Sequence, residues 1–266
     1  MKIKKAIVDT TLRDGEQSPY IALRPEDKLK IASLLDRLKV YEIEAGTPCI
    51  GRLERDSIAK IIENRKHSLI SVWSRMRKED VRESIACSPD IIHIGAPVSY
   101  VQIYHKLKKN KSWVQKSILE CVEVAKKGGV KVTVGFEDAS RADIGFMINM
   151  AMMLEKAGVT TIRLADTVGV LTPNRTHEIV KELHEHTRVP IEIHVHNDLG
   201  MAAANSMEGA KAGAEYIDCT LFGIGERSGN CNFYQYIKAS EAIFEYAMTK
   251  QQINEVEKEV KHLLLH

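Results

Sequence analysis

The chain has 266 residues, of which 44% are hydrophobic and 28% are charged, with a formal net charge of +2. This length can bury a sizeable core within one domain. A charge balance so close to neutral does not favour nucleic acid or an anionic membrane as a partner. The run of Lys108, Lys109 and Lys111 is typical of solvated surface.

No apolar stretch reaches the roughly 18 residues of a membrane span, and no apolar signal core follows the N-terminal lysines. The five cysteines lack a paired spacing, and their odd number is typical of reduced thiols rather than of a disulfide framework. We therefore expect a soluble, cytoplasmic protein.

Strand and helix patterns alternate along the chain. We predict eight strands, over residues 3–10, 40–46, 69–75, 91–97, 131–137, 161–167, 191–198 and 216–225. The first helix begins at Pro25, a favourable first-turn residue, and keeps helical apolar spacing to Leu38. Later helices are predicted over residues 52–65, 78–87, 112–127, 141–157, 173–187, 200–212 and 232–249.

Eight alternating units predict a closed (β/α)8 TIM barrel, a fold that typically needs about 250 residues. The rival, an open doubly wound sheet, needs a glycine-rich turn after its first strand, where this chain has Arg13-Asp14-Gly15-Glu16. We predict a catalytic barrel over residues 1–249 and a C-terminal amphipathic helix over residues 250–266.

Two histidines on the seventh predicted strand indicate a metal site. His194 and His196 are two residues apart, so their side chains point to the same face of the strand. Barrel closure would bring them close to Asp14 and Asn230, which follow the first and eighth strands. A mixed nitrogen and oxygen set of this kind suits Mg²⁺, Mn²⁺ or Zn²⁺. A 2-oxo acid could chelate such an ion through its ketone and carboxylate oxygens. Arg13 could then stabilise the oxyanion that develops when a carbon nucleophile attacks the ketone.

Further candidates fall at the same strand ends: Glu44, His93, Glu137 and Thr167. Each has an alternative role. Glu44 could be a structural partner of Arg13, His93 a core histidine, and Thr167 the cap of the following turn. Arg163 lies deeper on its strand, where we expect an ion pair inside the barrel.

Five segments together resemble the DRE-TIM metallolyase superfamily, residues 9–17, 137–143, 165–169, 194–198 and 223–230. Within it the chain is similar to the Claisen-condensing synthases, above all homocitrate synthases of the nitrogen-fixation type. The resemblance implies acetyl-CoA as co-substrate and the metal ligands Asp14, His194, His196 and Asn230.

The resemblance also implies roles for residues around the metal. Arg13 would contact the ketone oxygen and the enolate, and Thr167 the carboxylate of the 2-oxo acid. Glu137 would belong to the acid/base and water network, and Gln17, Glu44 and His93 to the substrate-binding surroundings.

The expected reaction condenses acetyl-CoA with a 2-oxo acid, first of all 2-oxoglutarate to give homocitrate. Alternatives are a 2-isopropylmalate, citramalate or Re-type citrate synthase, an acyl-CoA lyase or aldolase, and a metal-binding subunit without turnover. The lyase is disfavoured because Cys231 follows Asn230, whereas lyases of the superfamily carry their catalytic cysteine before the Ser-Gly-Asn segment. Candidates for binding a distal substrate carboxylate are Arg75, Arg77, His93, Ser99 and Arg163.

Similar synthases continue past the barrel and send a histidine and a tyrosine into the neighbouring subunit's site. The resemblance therefore implies a homo-oligomer or a second subunit that supplies this region.

Overall fold

The computed structural model describes residues 2–264, and eight parallel strands in it close into a barrel. Consecutive strands are neighbours all the way round, and the last pairs with the first. The barrel strands are β2 (Ala6–Asp9), β3 (Glu42–Glu44), β4 (Leu69–Arg75), β5 (Ile91–Pro97), β6 (Lys131–Glu137), β7 (Thr161–Asp166), β8 (Ile191–Val195) and β9 (Tyr216–Cys219). The predicted TIM barrel is confirmed.

Helices follow the barrel strands and cover the outside of the barrel. Their bounds are α1 (Pro25–Arg37), α2 (Arg52–Asn64), α3 (Lys78–Ala86), α4 (Lys111–Lys127), α5 (Ile144–Ala157), α6 (Pro173–His186), α7 (Ala202–Ala212) and α8 (Phe233–Ser240). Side chains cap several of them, as where Asp143 accepts a hydrogen bond from the Phe146 amide at the start of α5.

The two faces of each barrel strand have different surroundings. On β8, Ile191, Ile193 and Val195 are at most 1% exposed and belong to the apolar core of the protein. Glu192 and His194 alternate with them: Glu192 forms an ion pair with Arg163 of β7, and His194 Nδ1 lies 2.9 Å from Asp218 of β9. The barrel interior is therefore polar, although bulky branched residues dominate most barrels of this class.

The last unit differs from the prediction. The eighth barrel strand ends at Cys219 instead of reaching residue 225, and helix α8 ends at Ser240 instead of residue 249. The segment after α8 forms a short strand, β10 (Phe244–Glu245), which pairs in parallel with β1 (Ile3–Lys4). The predicted helix was wrong here because the pairing partner lies at the other end of the sequence.

Helix α9 (Lys250–Leu264) follows β10 and packs Ile253, Val256 and Val260 into the core. Its apolar stripe matches the predicted amphipathic pattern, whose last two residues, 265 and 266, lie outside the described residues. The division into a barrel over 1–249 and an extension stays a prediction. Between residues 2 and 264, no helix combines the length and apolarity needed to cross a membrane.

Candidate functional site

A cavity of about 500 Å³ opens at the carboxyl ends of the barrel strands. This is the end at which the loops after the strands build active sites in barrels of this class. Seven of the predicted site residues line the cavity: Arg13, Asp14, Gln17, Glu137, Thr167, His194 and His196. The barrel thus brings together residues that are far apart in the sequence.

Three of these side chains form a cluster suited to a cation. Asp14, His194 and His196 each offer a ligand atom, and these atoms all lie within 4.8 Å of one another. Asp14 Oδ2 lies 3.7 Å from His194 Nε2, and Asp14 Oδ1 lies 3.5 Å from His196 Nε2. All three residues are at least 95% buried.

The remaining nitrogen of each histidine fixes the orientation of its ring. His194 Nδ1 lies 2.9 Å from Asp218 Oδ2, and His196 Nδ1 lies 3.1 Å from the Asp166 carbonyl oxygen. Protons assigned to the two Nδ1 atoms leave both Nε2 atoms as acceptors beside Asp14. Partners of this kind hold metal-binding histidines in the required tautomer.

Asn230 completes the surroundings of Asp14. Its amide nitrogen donates to Asp14 Oδ1 at 2.8 Å and to the Ile224 carbonyl at 3.0 Å. Its Oδ1 is buried and has no hydrogen-bond partner in the part of the chain that the structure describes. A buried acceptor without a donor is costly, and a cation would compensate it, so the donor set fits a divalent ion.

The charges around Asp14 keep it ionised. Burial alone would raise its pKa, but the positive charge of Arg13 outweighs burial and holds the pKa of Asp14 well below its usual range. Arg13 Nη1 donates to Asp14 Oδ2 at 2.6 Å. The carboxylate is therefore available as an anionic ligand at neutral pH.

Arg13 is itself held by a second carboxylate, Glu44. Glu44 forms ion pairs with Arg13 and with Arg163, whose Nη1 lies 2.7 Å from Glu44 Oε2. Burial alone would raise the pKa of Glu44, but the two guanidinium groups lower it to about 2. Arg163 also pairs with Glu192 at 2.6 Å, so the ion pair expected for Arg163 forms inside the barrel.

Glu137 ends β6 and Thr167 follows β7, and both side chains line the cavity. The Thr167 hydroxyl accepts a hydrogen bond from the Asp138 amide at 2.8 Å and lies 3.4 Å from Glu137 Oε2. A Cβ atom added at Gly95 would lie 3.1 Å from both Glu137 and Trp73. The glycine thus leaves room for these two side chains.

Two predicted substrate-binding residues lie behind the cavity wall. Glu44 and His93 are fully buried and do not line the cavity. His93 Nδ1 lies 2.8 Å from the Thr133 hydroxyl, and burial together with the charge of Arg163 holds its pKa well below the usual range. A neutral, fully buried histidine at this position matches the alternative role given for His93, that of a core histidine.

Only some of the candidates for binding a distal substrate carboxylate line the cavity. Arg75 and Arg163 line the cavity, while Arg77, His93 and Ser99 do not. The Ser99 hydroxyl is hydrogen-bonded to Asp138.

Six residues of the cavity were neither predicted site residues nor candidates for the distal carboxylate: Thr47, Cys49, Ile50, Trp73, Ala165 and Glu226. Trp73 shares a strand face with Arg75, and strand alternation could have found it. Glu226 lies in the 223–230 motif. Thr47, Cys49 and Ile50 follow β3 in a loop without periodicity.

Comparison with known proteins places this site in a family. The HMGL-like family model matches residues 4–260. The chain is 43% identical over 261 residues to the homocitrate synthase subunit alpha of Clostridium pasteurianum, with 97% of each protein covered. It is 42% identical to 2-isopropylmalate synthase 2 of Caldanaerobacter subterraneus, covering 90% of this chain and 62% of that protein.

Among solved structures, the HMG-CoA lyase of Brucella melitensis has a TM-score of 0.86 at 15% identity, with 99% of this chain and 100% of that chain covered. This likeness concerns the fold alone. The sequence relatives indicate a homocitrate synthase-like acyltransferase. The chain belongs to the HMGL-like family and to its Claisen-condensing branch.

Proposed function

We propose that the protein condenses acetyl-CoA with a 2-oxo acid, and that this acid is 2-oxoglutarate, which gives homocitrate. The observation that carries the proposal is the cluster of Asp14, His194 and His196 beside Arg13 at the floor of one cavity. In the overall reaction, acetyl-CoA, 2-oxoglutarate and water give homocitrate and free CoA.

In this proposal Asp14, His194, His196 and Asn230 hold a divalent cation, Mg²⁺, Mn²⁺ or Zn²⁺. When bound, the ion supplies Lewis-acid polarisation of the substrate ketone. Asp14 and the two Nε2 atoms already face one another within 4.8 Å, which supports this ligand set.

The chain's own residues then bind and orient the substrates. Arg13 donates to the oxygen that becomes negative when the new carbon–carbon bond forms. Its ion pair with Glu44 fixes the guanidinium before the substrate arrives, so little reorganisation is needed. Thr167 binds the carboxylate next to the ketone, and Glu137, 3.4 Å from the Thr167 hydroxyl, exchanges protons with substrate and water.

The choice of 2-oxoglutarate rests on the cationic groups of the cavity and on the homocitrate synthase subunit among the relatives. Arg75 and Arg163 are the arginines, besides Arg13, that line the cavity among the described residues. Both already pair with carboxylates of the chain, Arg75 with Asp80 and Arg163 with Glu44 and Glu192, and a dicarboxylic 2-oxo acid offers them a further carboxylate that an apolar one lacks. The other sequence relative reported above is named for a different product, 2-isopropylmalate, so the acid must be tested directly.

The test is a thiol-release assay of the purified chain with acetyl-CoA, Mn²⁺ or Mg²⁺, and a panel of 2-oxo acids. We expect release with 2-oxoglutarate in excess of that with pyruvate, 2-oxoisovalerate or oxaloacetate. An Arg13→Met variant should lose the activity, while Arg52→Met, on the exposed start of α2, should retain it. Faster release with another acid would reject 2-oxoglutarate, and release that needs no 2-oxo acid would reject condensation.

We further propose a second subunit or a second copy of the chain as partner. The relative of nearly equal length carries the name subunit alpha, which supports a multi-subunit enzyme. If the chain alone releases no thiol but does so after addition of its partner, the catalytic barrel needs that partner. Full turnover by a monomer would reject the requirement.

A further inference from the structure

The loop after β9, which carries Asn230, has an unusual backbone. Four of its residues have φ values between 53° and 84°, in the left-handed region: Phe222, Gly223, Arg227 and Gly229. Glycine adopts this region freely, whereas Phe222 and Arg227 carry a Cβ atom and adopt it at a cost. Strained positions of this kind persist only where the surroundings hold them in place. The contacts that hold this loop therefore also determine where Asn230 lies.

The start of the loop is held from two sides. The Leu221 amide donates to the Thr11 hydroxyl at 2.9 Å, and the Phe222 amide donates to Glu257 Oε1 at 2.9 Å. Thr11 lies in the loop after β2, close in sequence to Asp14, whereas Glu257 lies on the C-terminal helix α9. The helix that follows the barrel thus contacts the loop that carries part of the candidate site.

The surroundings of Glu257 differ from those of the other glutamates on α9. Glu255 and Glu259 are exposed, and Glu259 pairs with Arg37 at 2.6 Å. Glu257 is half-buried, no cation among residues 2–264 pairs with it, and burial raises its pKa. A carboxylate in such a place needs a hydrogen-bond donor to offset the loss of water. The Phe222 amide is that donor.

Two hydrogen bonds connect the residues after Phe222 to Asn230. The Asn230 amide donates to the Gly223 carbonyl at 3.0 Å, and Asn230 Nδ2 donates to the Ile224 carbonyl at 3.0 Å. A Cβ atom added at Gly229 would lie 2.0 Å from the Gly223 carbonyl oxygen, so the two sides of the loop are in close contact. A rotation of the backbone at Phe222 would therefore displace both acceptors that hold Asn230.

We propose that Glu257 is a positioning residue of the candidate site. Its carboxylate holds the Phe222 amide, which fixes the loop after β9 and keeps Asn230 in place beside Asp14. The inference rests on the proposed cation site. It goes beyond that proposal because it assigns a role to α9, which the proposed chemistry does not use.

The first test measures the affinity for Mn²⁺, which requires no turnover. Glu257→Ala removes the acceptor of the Phe222 amide, and we expect the Kd for Mn²⁺ to rise about tenfold or more, as when groups that orient metal ligands are disturbed. Glu257→Gln keeps an acceptor oxygen of the same reach and should bind Mn²⁺ like the unaltered chain. Electron paramagnetic resonance of the free ion gives the Kd of each protein.

Two controls separate positioning from a general loss of stability. Glu255→Ala makes the same change at an exposed position of α9 and should leave the Kd unchanged. Val260→Ala removes fully buried methyl groups from α9 but keeps the carboxylate, so it should lower the melting temperature without changing the Kd. Equal affinities of Glu257→Ala and the unaltered chain would overturn the proposal, and so would an equal loss of affinity in Val260→Ala.

Hydrogen–deuterium exchange distinguishes this inference from the proposed cation site. In metal-free protein, residues 221–231 should exchange faster in Glu257→Ala than in the unaltered chain or in Glu257→Gln, because the loop opens more often. Faster exchange in a chain that does not bind Mn²⁺ would support the positioning of the loop by Glu257 and reject the cation site. Unchanged exchange in Glu257→Ala would reject the role of Glu257, even in a chain that binds Mn²⁺.

Discussion

Single buried charges determine how the candidate site is held in shape. Arg163 is 1% exposed and pairs with both Glu44 and Glu192, while Glu44 in turn pairs with Arg13. Each carboxylate of this group has a cation, and Glu44 has two. The orientation of Arg13 therefore depends on a residue that lies deeper in the barrel.

Replacing Arg163 by methionine should be strongly destabilising. Methionine fills part of the volume but leaves Glu192 buried without its cation, and breaking a buried pair in this way costs about 3–5 kcal/mol. We expect the free energy of unfolding in urea to fall by that amount.

Arg163→Met/Glu192→Gln should lose less stability, because the second change removes the unpaired carboxylate. The exposed Arg175, paired with Glu178, offers the control Arg175→Met, which should change little. An Arg163→Met protein with an unchanged free energy of unfolding would show that the ion pair gives no net stabilisation.

Asp9 should make the stability of the protein depend on pH. It is fully buried, and burial raises its pKa from 3.8 to about 7, with further contributions from Asp218 and Glu257. In the unfolded chain it ionises near its usual pKa, so the folded state binds the proton more tightly. Stability should therefore fall as pH rises from about 4 to about 7 and then level off.

Asp9→Asn should remove this decline. The amide oxygen can still accept the hydrogen bond from the Thr11 amide, and no buried charge forms above pH 7. At pH 8 we expect the variant to be more stable by about 2–4 kcal/mol, since each pKa unit corresponds to about 1.4 kcal/mol. Urea unfolding at pH 5 and pH 8 measures the difference. Glu63→Gln, at an exposed position of α2, is the control and should behave like the unaltered chain. A variant with the same pH dependence as the unaltered chain would contradict the assignment to Asp9.

At the scale of elements, the loop after β9 positions Asn230. Gly225 lies against the Asn230 side chain, and a Cβ atom there would lie 2.1 Å from Asn230 Nδ2 and 3.3 Å from Asp14 Oδ1. The amide nitrogen is fixed by its hydrogen bonds to Asp14 and Ile224. A side chain at residue 225 would force Asn230 to move.

Gly225→Ala should therefore weaken metal binding without unfolding the barrel. Disturbing groups that orient metal ligands typically reduces affinity about 10–100-fold. Titration with Mn²⁺, followed by electron paramagnetic resonance of the free ion, gives the Kd. At Gly145, on α5, an added Cβ meets a single side-chain atom at 3.6 Å, so Gly145→Ala is the matched control. Equal affinities in both variants would mean that Asn230 does not contribute to the cation site.

Elements with local signals were predicted well, and elements with distant partners were not. Strands β4, β5 and β6 have the predicted bounds, because apolar and β-branched runs end at glycine, proline or charged residues. Helix α8 was predicted nine residues too long, since β10 forms by pairing with β1 some 240 residues away. Local periodicity contains no information about such a partner.

The same limit applies to depth within the barrel. Strand alternation correctly assigns Glu44 and His93 to the interior face, but it does not tell a residue at the mouth from one a layer below. The structure places both behind the cavity wall, where Arg13, Arg163 and Thr133 contact them. Their predicted substrate contacts stay untested.

At the scale of the whole molecule, apolar and polar residues are buried on different sides of the barrel strands. The apolar core lies between the strands and the helices, while arginines, carboxylates and histidines fill the interior of the barrel. A barrel interior of this kind gains less from apolar burial than one filled with branched side chains. A cation that binds Asp14, His194 and His196 would link β8 to the loop after β2 and compensate part of this cost.

Metal binding should consequently raise the stability of the entire barrel. A ligand that binds the folded state at about 100 times its Kd adds about 2.7 kcal/mol, which in a chain of this size corresponds to roughly 5–10 °C in Tm. We expect this rise when Mn²⁺ is added to chelator-treated protein in a differential scanning experiment. Asp14→Asn should lose the rise, because Asp14 contributes the one carboxylate of the described cluster. His67→Ala, which removes an exposed histidine distant from the cavity, should keep it. If Tm is the same with Mn²⁺ and with chelator, the cluster does not bind this ion in the folded state, and the proposed ligand set must be abandoned.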